Sequence, residues 1–258
     1  MLGPRELAHE CASIGEKKVN NSFRNMIVGG MLSGLFVGIG YYGYLVVYSS
    51  LVDTEYLIFG RVIGALVFTV GIILVVLTGS ELFTGNCLII LGYCNKQYSL
   101  SKVCKNLGIV WLGNFIGALI LVLLIYISKM PNDVMITTIN NISNQKVGLS
   151  IFVAISRGIL CNILVALGVY ASYAAKDVSG KILASAIPVF LFVLSGYEHS
   201  VANMFILPLS LFYESGITIL DIFKNIIPVT IGNFLGGGII VPLAYYFLYV
   251  FKSAKIHT

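Results

Sequence analysis

Two short stretches place polar chemistry where the surrounding chain is apolar: Ser80-Glu81-Leu82-Phe83-Thr84-Gly85-Asn86 and Glu198-His199-Ser200-Val201-Ala202-Asn203. Of the three histidines, only His199 falls inside an apolar run; His9 and His257 lie near the ends of the chain. Imidazole is the side chain whose charge changes near neutral pH. In apolar surroundings desolvation disfavours its charged form, and an anion arriving beside it favours that form. That coupling suits a proton donor or a protonation switch. A lone buried His is by default a satisfied structural group, but a place beside Glu198, opposite an equivalent loop, favours the functional reading. Thr84 supplies a hydroxyl that both donates and accepts. Satisfying its own loop is the bland alternative; facing His199 would make it part of the same chemistry.

Glu81 and Glu198 are of the type that does acid–base work, yet each begins its loop, where a carboxylate can accept from the exposed amides of a half-helix. The structural reading is preferred for both. Asn86 and Asn203, each five residues after its Glu, are read as serving the same loops. Half-helix N-termini aimed inward would add partial positive charge, favourable to an anion.

Other chemistries are excluded. The five cysteines (Cys11, Cys87, Cys94, Cys104, Cys161) are odd in number, and Cys87 and Cys94 have neither metal-type spacing nor a nearby His. Free thiols are expected, with no metal site and no cofactor. There is no P-loop for an ATP-driven pump and no glycine fingerprint for a dinucleotide. No catalytic residues are assigned and no enzyme is expected.

The elements that must position these residues follow from composition. The chain is 58% hydrophobic and 10% charged, whereas soluble domains carry about 25% charged residues. It is therefore an integral membrane protein, and the net charge of +5 reflects orientation signals rather than nucleic-acid binding. A carboxylate at bilayer depth costs roughly 2.5–3.5 kcal/mol and usually marks a pathway. Taking about 20 apolar residues per crossing, six spans are expected near 26–49, 57–92, 104–128, 147–174, 182–213 and 223–251. The second and fifth are too long for one crossing and contain the two polar stretches, so each is read as two half-helices joined by a loop, which is tolerated in a membrane only where it is buried in protein or lines a cavity.

Residues 1–25 are expected to be an amphipathic surface segment with Leu7, Cys11 and Ile14 at helical spacing. The six-span domain is placed at 26–251 and a tail at 252–258. Eleven Lys and Arg residues on one side against four on the other put both termini in the cytoplasm.

The two polar stretches repeat at an offset of 117 residues. Leu112-Gly113-Asn114-Phe115-Ile116-Gly117 repeats as Ile231-Gly232-Asn233-Phe234-Leu235-Gly236 at 119, and Gly34 as Gly158 at 124. The unit is three spans, about 26–128 and 147–251. Three is odd, so the second copy enters from the opposite face and the repeat is inverted, bringing the two broken helices together near the midplane. The glycines at four-residue spacing are read as close helix contacts. Lys146, before the fourth span, is either a snorkelling interfacial residue or a point charge at a pore mouth. Spacing alone leaves both open. Phe68, Phe83, Phe192 and Leu82 are read as helix packing first, although apolar constrictions do gate pores.

Taken together, Gly79–Asn86, Arg157-Gly158-Ile159-Leu160-Cys161-Asn162, Ser195–Asn203 and Gly232-Asn233-Phe234-Leu235-Gly236-Gly237 resemble the formate/nitrite transporter family over about residues 20–250. The resemblance implies an all-α, aquaporin-like protomer with inverted repeats and two broken helices, in a homopentamer with one pore per subunit. It also implies roles. Lys146 is similar to a vestibule lysine that attracts the anion, and His199 to a central histidine paired with Thr84. Phe68, Asn162 and Phe192 match an outer constriction; Ile72, Leu82, Phe83 and Val165 match an inner one. Asn203 belongs to the substrate pathway, while Glu81, Glu198 and Asn86 support the loops.

The expected activity is passive, pH-dependent movement of a small monovalent weak-acid anion (hydrosulfide, nitrite or formate), with a proton as a further partner, across a bacterial inner membrane. Low Ala and high Ile, Lys and Asn suit an AT-rich genome, and the Arg-Gly-Ile-Leu-Cys-Asn and His-Ser-Val-Ala-Asn forms lean toward nitrite and hydrosulfide. The alternatives are an electrogenic anion channel without proton transfer and an aquaporin-type neutral-solute pore; the latter predicts Asn-Pro-Ala signatures, and none occurs.

Overall fold

A computed structural model describes residues 1–251, all helix and connection with no strand among them. The expected tail, with Lys252, Lys255 and His257, lies outside the described residues. Helix α1 (Pro4–Val19) is followed by α2 (Phe23–Leu51), α3 (Leu57–Phe68), α4 (Val70–Thr78) and α5 (Phe83–Asn86). A short 3-10 turn (Cys87–Ile89) joins α5 to α6 (Ile90–Cys94), and α7 (Leu100–Ser128) closes the first half. The second half holds α8 (Asp133–Val147), α9 (Ile151–Ala174), α10 (Val178–Leu194), α11 (Ser200–Leu211) and α12 (Ile219–Phe234). It ends in two π-helical turns (Leu235–Ile240 and Tyr246–Val250) flanking α13 (Val241–Tyr245).

Among the described residues five helical stretches are long and apolar enough to cross a membrane: 23–51, 57–78, 100–128, 151–174 and 219–250. The fifth expected span is the exception, being made of α10 and α11, of 17 and 12 residues.

Both expected breaks are present. Each starts at a left-handed glycine, Gly79 (φ 71°) and Gly196 (φ 69°), the conformation that ends a helix and that glycine adopts without a Cβ penalty. The chain then runs extended through Leu82 and His199 before turning into α5 and α11. Every residue of 80–92 and of 198–210 is buried. The half-helices after the breaks thus form the axis of the molecule. Apolar side chains of the surrounding helices, such as Phe152, Ile127 and Leu66, face outward. A helix apolar on all sides is a buried one.

Around that axis the two halves pack alike. Helices α2 and α7 meet with Gly30 against Gly113 and with Gly34 and Gly117 against the partner backbone; α9 and α12 meet with Gly158 against Gly232, and Gly236 lies against Ile159. A Cβ at Gly34 would collide with the carbonyl of Asn114, and one at Gly117 with that of Met31. Small residues are what allow backbones this close in lipid.

Two elements differ from expectation. The N-terminal helix does not lie free on a surface: Ala8, Cys11, Ala12 and Gly15 are buried against α6, its preceding turn and the last π-helical turn. Residues 133–147, read as a loop leading to a span from 147, form the amphipathic helix α8, and the span itself begins at Ile151. The end carrying α1 is termed inner and the end carrying α8 outer.

Candidate functional site

The side chains that hold the breaks form two matching sets. Glu81 N–H donates to Gly29 O (3.1 Å) and Glu198 N–H to Arg157 O (3.3 Å). Asn114 accepts from Phe83 N–H (2.9 Å) and donates to Gly30 O (2.8 Å) and Glu81 O (2.9 Å). Asn233 accepts from Ser200 N–H (2.9 Å) and donates to Gly158 O and Glu198 O (both 2.9 Å). Broken backbone inside a bilayer must have its polar groups satisfied internally, and these two amides do that.

The carboxylates act differently from expectation. Among the described residues neither caps a backbone amide. Glu81 accepts from Lys18 Nζ (2.6 Å) and Asn86 Nδ2 (2.7 Å). Glu198 accepts from Lys146 Nζ at 2.9 and 3.1 Å and from Asn203 Nδ2 at 2.7 Å. Asn86 and Asn203 each donate to one more buried amide oxygen, Asn106 (2.9 Å) and Asn225 (2.7 Å). Those in turn donate to the carbonyls of Lys18 (2.9 Å) and Lys146 (2.8 Å). Lys146 is therefore no isolated point charge. It is one half of an ion pair, and Lys18 on α1 is its counterpart at the inner end.

His199 is the N-cap of α11, its Nδ1 accepting the N–H of Ala202 at 3.2 Å. With Nδ1 so used, the neutral ring carries its proton on Nε2, which lies 3.0 Å from Thr84 Oγ1. Thr84 and His199 come from opposite repeats, so this bond ties the two breaks together. Both residues are buried. The imidazole stacks on Phe192 (centroids 5.6 Å, 13°), and Phe192 meets Phe68 edge to face at 5.8 Å. Outward from there runs a series of tyrosines at helical spacing on α2: Tyr41 against Phe68 (5.6 Å), Tyr44 against Tyr41 (5.8 Å), and Tyr48 stacked on Tyr44 (5.2 Å). Sequence reasoning missed this ladder, although the spacing 41, 44, 48 was its signal.

A cavity of about 700 Å³ opens from the outer end down to Phe68, Phe192 and His199, with the three tyrosines and Lys146 on its walls. Asn203 also borders it, and its Oδ1 is buried without a hydrogen-bond partner among the described residues. Asn162, expected at the outer constriction, is not on this wall. Its amide donates to Thr84 O (3.2 Å) and Asn233 O (2.7 Å), which places it behind the break as a support. Ile72, Leu82, Phe83 and Val165 are all buried in the core, and none of them borders the outer cavity. No group of three or more metal-ligating side chains occurs among the described residues.

Inverted halves, two buried breaks and a cavity ending on an apolar, aromatic floor define an all-helical membrane channel or transporter. Residues 5–247 match the family model described as formate/nitrite transporter, and the chain belongs to that family. Its members move solutes rather than catalyse reactions. The chain is 35% identical to an uncharacterized transporter, YrhG, of Bacillus subtilis (strain 168), over 95% of this chain and 93% of that protein. It is 30% identical to the formate channel FocA of Escherichia coli (strain K12), over 97% and 95%. Among solved structures it resembles a pentameric formate channel with formate bound (TM-score 0.80, 30% identity, 88% of this chain and 98% of that one). A second is an ion channel of the same family (TM-score 0.83, 28% identity, 94% and 98%).

Proposed function

We propose that this chain is a passive, pH-dependent conduit for small monovalent weak-acid anions, of which formate, nitrite and hydrosulfide are the candidates. It works as a homopentamer in a bacterial inner membrane with both termini cytoplasmic. The observation that carries the reading is the 3.0 Å bond between Thr84 Oγ1 and His199 Nε2 at the foot of the outer cavity.

A bare anion in an apolar passage carries a large desolvation cost. The anion collects in the cationic outer cavity, passes Phe68 and Phe192, and meets His199, the one buried imidazole among the described residues. There the Nε2 proton and the Thr84 hydroxyl are available to it as donors. A second proton at Nδ1 requires the bond from Ala202 N–H to open, because two donors cannot share that lone pair. Protonation of His199 is thereby coupled to the start of α11, and this is the source of the pH response. Protonation of the permeant, or compensation of its charge, then lets it cross the ring of Ile72, Leu82, Phe83 and Val165. A weak acid's conjugate base suits such a path; a permanent anion such as chloride does not.

The test is flux of formate, nitrite and hydrosulfide into proteoliposomes across about pH 5–8, for the parent protein and His199→Gln. The expected result is a pH response in the parent that the variant lacks. An unchanged pH profile in His199→Gln refutes the histidine's role, and reversal potentials that ignore a pH gradient favour the electrogenic alternative.

A further inference from the structure

We infer that Arg61 and Arg157, rather than Lys146, are the groups that capture the anion at the outer mouth. The inference rests on the anion-conduit reading above. Lys146, Arg61 and Arg157 all line the outer cavity, and among the described residues Glu198 is the one carboxylate on its wall. The carboxylate is already spoken for: Lys146 Nζ contacts both of its oxygens, and Asn203 holds it from the other side. To a distant anion this pair presents a dipole rather than a charge. Neither arginine side chain has a hydrogen-bond or ion-pair partner among the described residues, and both are exposed. Two uncompensated positive charges in a cavity with low-dielectric walls focus the field and raise the local anion concentration. Guanidinium also offers a planar pair of donors that matches a two-oxygen anion such as formate or nitrite.

The repeat supplies an independent argument. It duplicates the Lys–Glu–Asn–Asn set at both ends, as expected for parts that hold the breaks. It does not duplicate the arginines. In the alignment that equates Gly34 with Gly158, Arg157 corresponds to Ser33, whose hydroxyl is buried and donates to Ser80 Oγ at 3.0 Å. In the alignment that equates Glu81 with Glu198, Arg61 corresponds to the apolar Val178. Among the described residues the inner cavity beside Glu81 has only Arg24 as a cation on its wall. What both ends share is structural; the pair of arginines, found among the described residues at the outer end alone, is available for capture. Arg61 and Arg157 sit in the second turns of α3 and α9, where an interfacial arginine would otherwise snorkel to headgroups.

The decisive experiment is zero-trans flux of formate and of nitrite in oriented proteoliposomes, with the anion added at either face and ionic strength varied. Arg61→Gln/Arg157→Gln should raise the apparent KM at the outer face about tenfold and flatten its salt dependence. The maximal rate and the inner-face KM should stay within about twofold, because a captured anion still meets an intact passage. Arg61→Lys/Arg157→Lys should restore most of the KM and of the salt dependence, which a merely structural role would not do. If the doubly Gln-substituted protein is not folded by size-exclusion, the single variants are read in the same assay, each with a smaller shift. An unchanged outer KM and salt dependence, or equal shifts at both faces, would overturn the inference while leaving the conduit reading intact. Parent liposomes impermeable to formate, nitrite and hydrosulfide alike would overturn both.

Discussion

Asn114 and Asn233 are the same residue used twice. Each sits buried on a long helix, accepts the first free N–H after a break, and donates to the carbonyl of the Glu that opens the break and to a glycine carbonyl of a neighbouring span. Three backbone groups at each break depend on one amide. The polar chemistry at Thr84 and His199 is held at bilayer depth through these two side chains, so fold and site share their supports.

Asn233→Leu should therefore lower stability by about 3 kcal/mol or more, since each buried group left unpaired costs about 1–3 kcal/mol. Asn114→Leu should match it. The Asp variants keep the acceptor but lose both amide donors, and an intermediate loss is expected. Unfolding in mixed micelles by SDS titration measures this. If both Leu variants unfold at the parent midpoint, the breaks are held by something else.

Lys146 and Glu198 predict a pattern rather than a single number. Their side chains are 14% and 4% exposed, so removing one partner leaves a nearly buried charge, a change that costs about 3–5 kcal/mol in such pairs. Lys146→Met and Glu198→Gln should each be strongly destabilising. The double variant should recover much of the loss, because Gln can still accept from Asn203. Lys18→Met and Glu81→Gln should repeat the pattern at the inner end. Additive losses in either double variant would rule out the ion pair as the dominant interaction.

How much of this was legible in the chain depends on contrast. Glu81, Asn86, Glu198 and Asn203 stand out because they interrupt apolar runs, and their common offset disclosed the inverted repeat, the broken helices and the meeting of Thr84 with His199. Lys18 and Lys146 carry no such contrast. They lie in polar segments where charge is ordinary, so the equivalence of α1 and α8 emerges only from the shared Glu–Asn partners. For the same reason α8 looked like a loop. The cap made by His199 Nδ1 depends on an extended backbone (φ −115°, ψ 116°) that no pattern of residue types encodes. Asn162 was expected at the outer constriction from the family resemblance alone, and no pattern of residue types encodes its amide bonds to the carbonyls of Thr84 and Asn233. The tyrosine ladder was hidden by the ordinariness of aromatic residues in membrane helices.

Glycine positions on α7 and α2 separate close packing from mere composition. Gly34→Ala places a methyl against the backbone of Asn114, which has no side-chain freedom with which to yield. It should reduce folded yield sharply and shift the residual protein to a lower unfolding midpoint. At Gly108, on the same α7 that Gly34 packs against, an added methyl would have nothing among the described residues within 4 Å. Gly108→Ala should be neutral or stabilising by up to about 1 kcal/mol, the helix-propensity difference. Equal behaviour of the two variants in fluorescence-detected size-exclusion and thermal unfolding would refute the close-packing role.

Cys11 offers a test of how α1 is docked. It is 1% exposed, and burial pushes its thiol up to about 12 from an ordinary 9.0, with Glu10 adding to the rise and Lys18 opposing it. Cys104 on α7 is exposed. Maleimide at pH 7.5 should label Cys104 in the folded protein and reach Cys11 only on unfolding. The shift also has a sign. Below pH 9 the thiol is protonated in both states, and its contribution to stability is fully present; between pH 9 and 12 the unfolded chain gives up the proton that the folded chain keeps, so stability falls as pH rises. Cys11→Ala removes this contribution, and its thermal midpoint should decline less than the parent's between about pH 8 and 10.5, a window spanning the ordinary thiol value of 9.0. Rapid labelling of Cys11 in the folded protein, or parallel pH declines in the two proteins, would show that α1 lies away from α6 rather than packed beneath it.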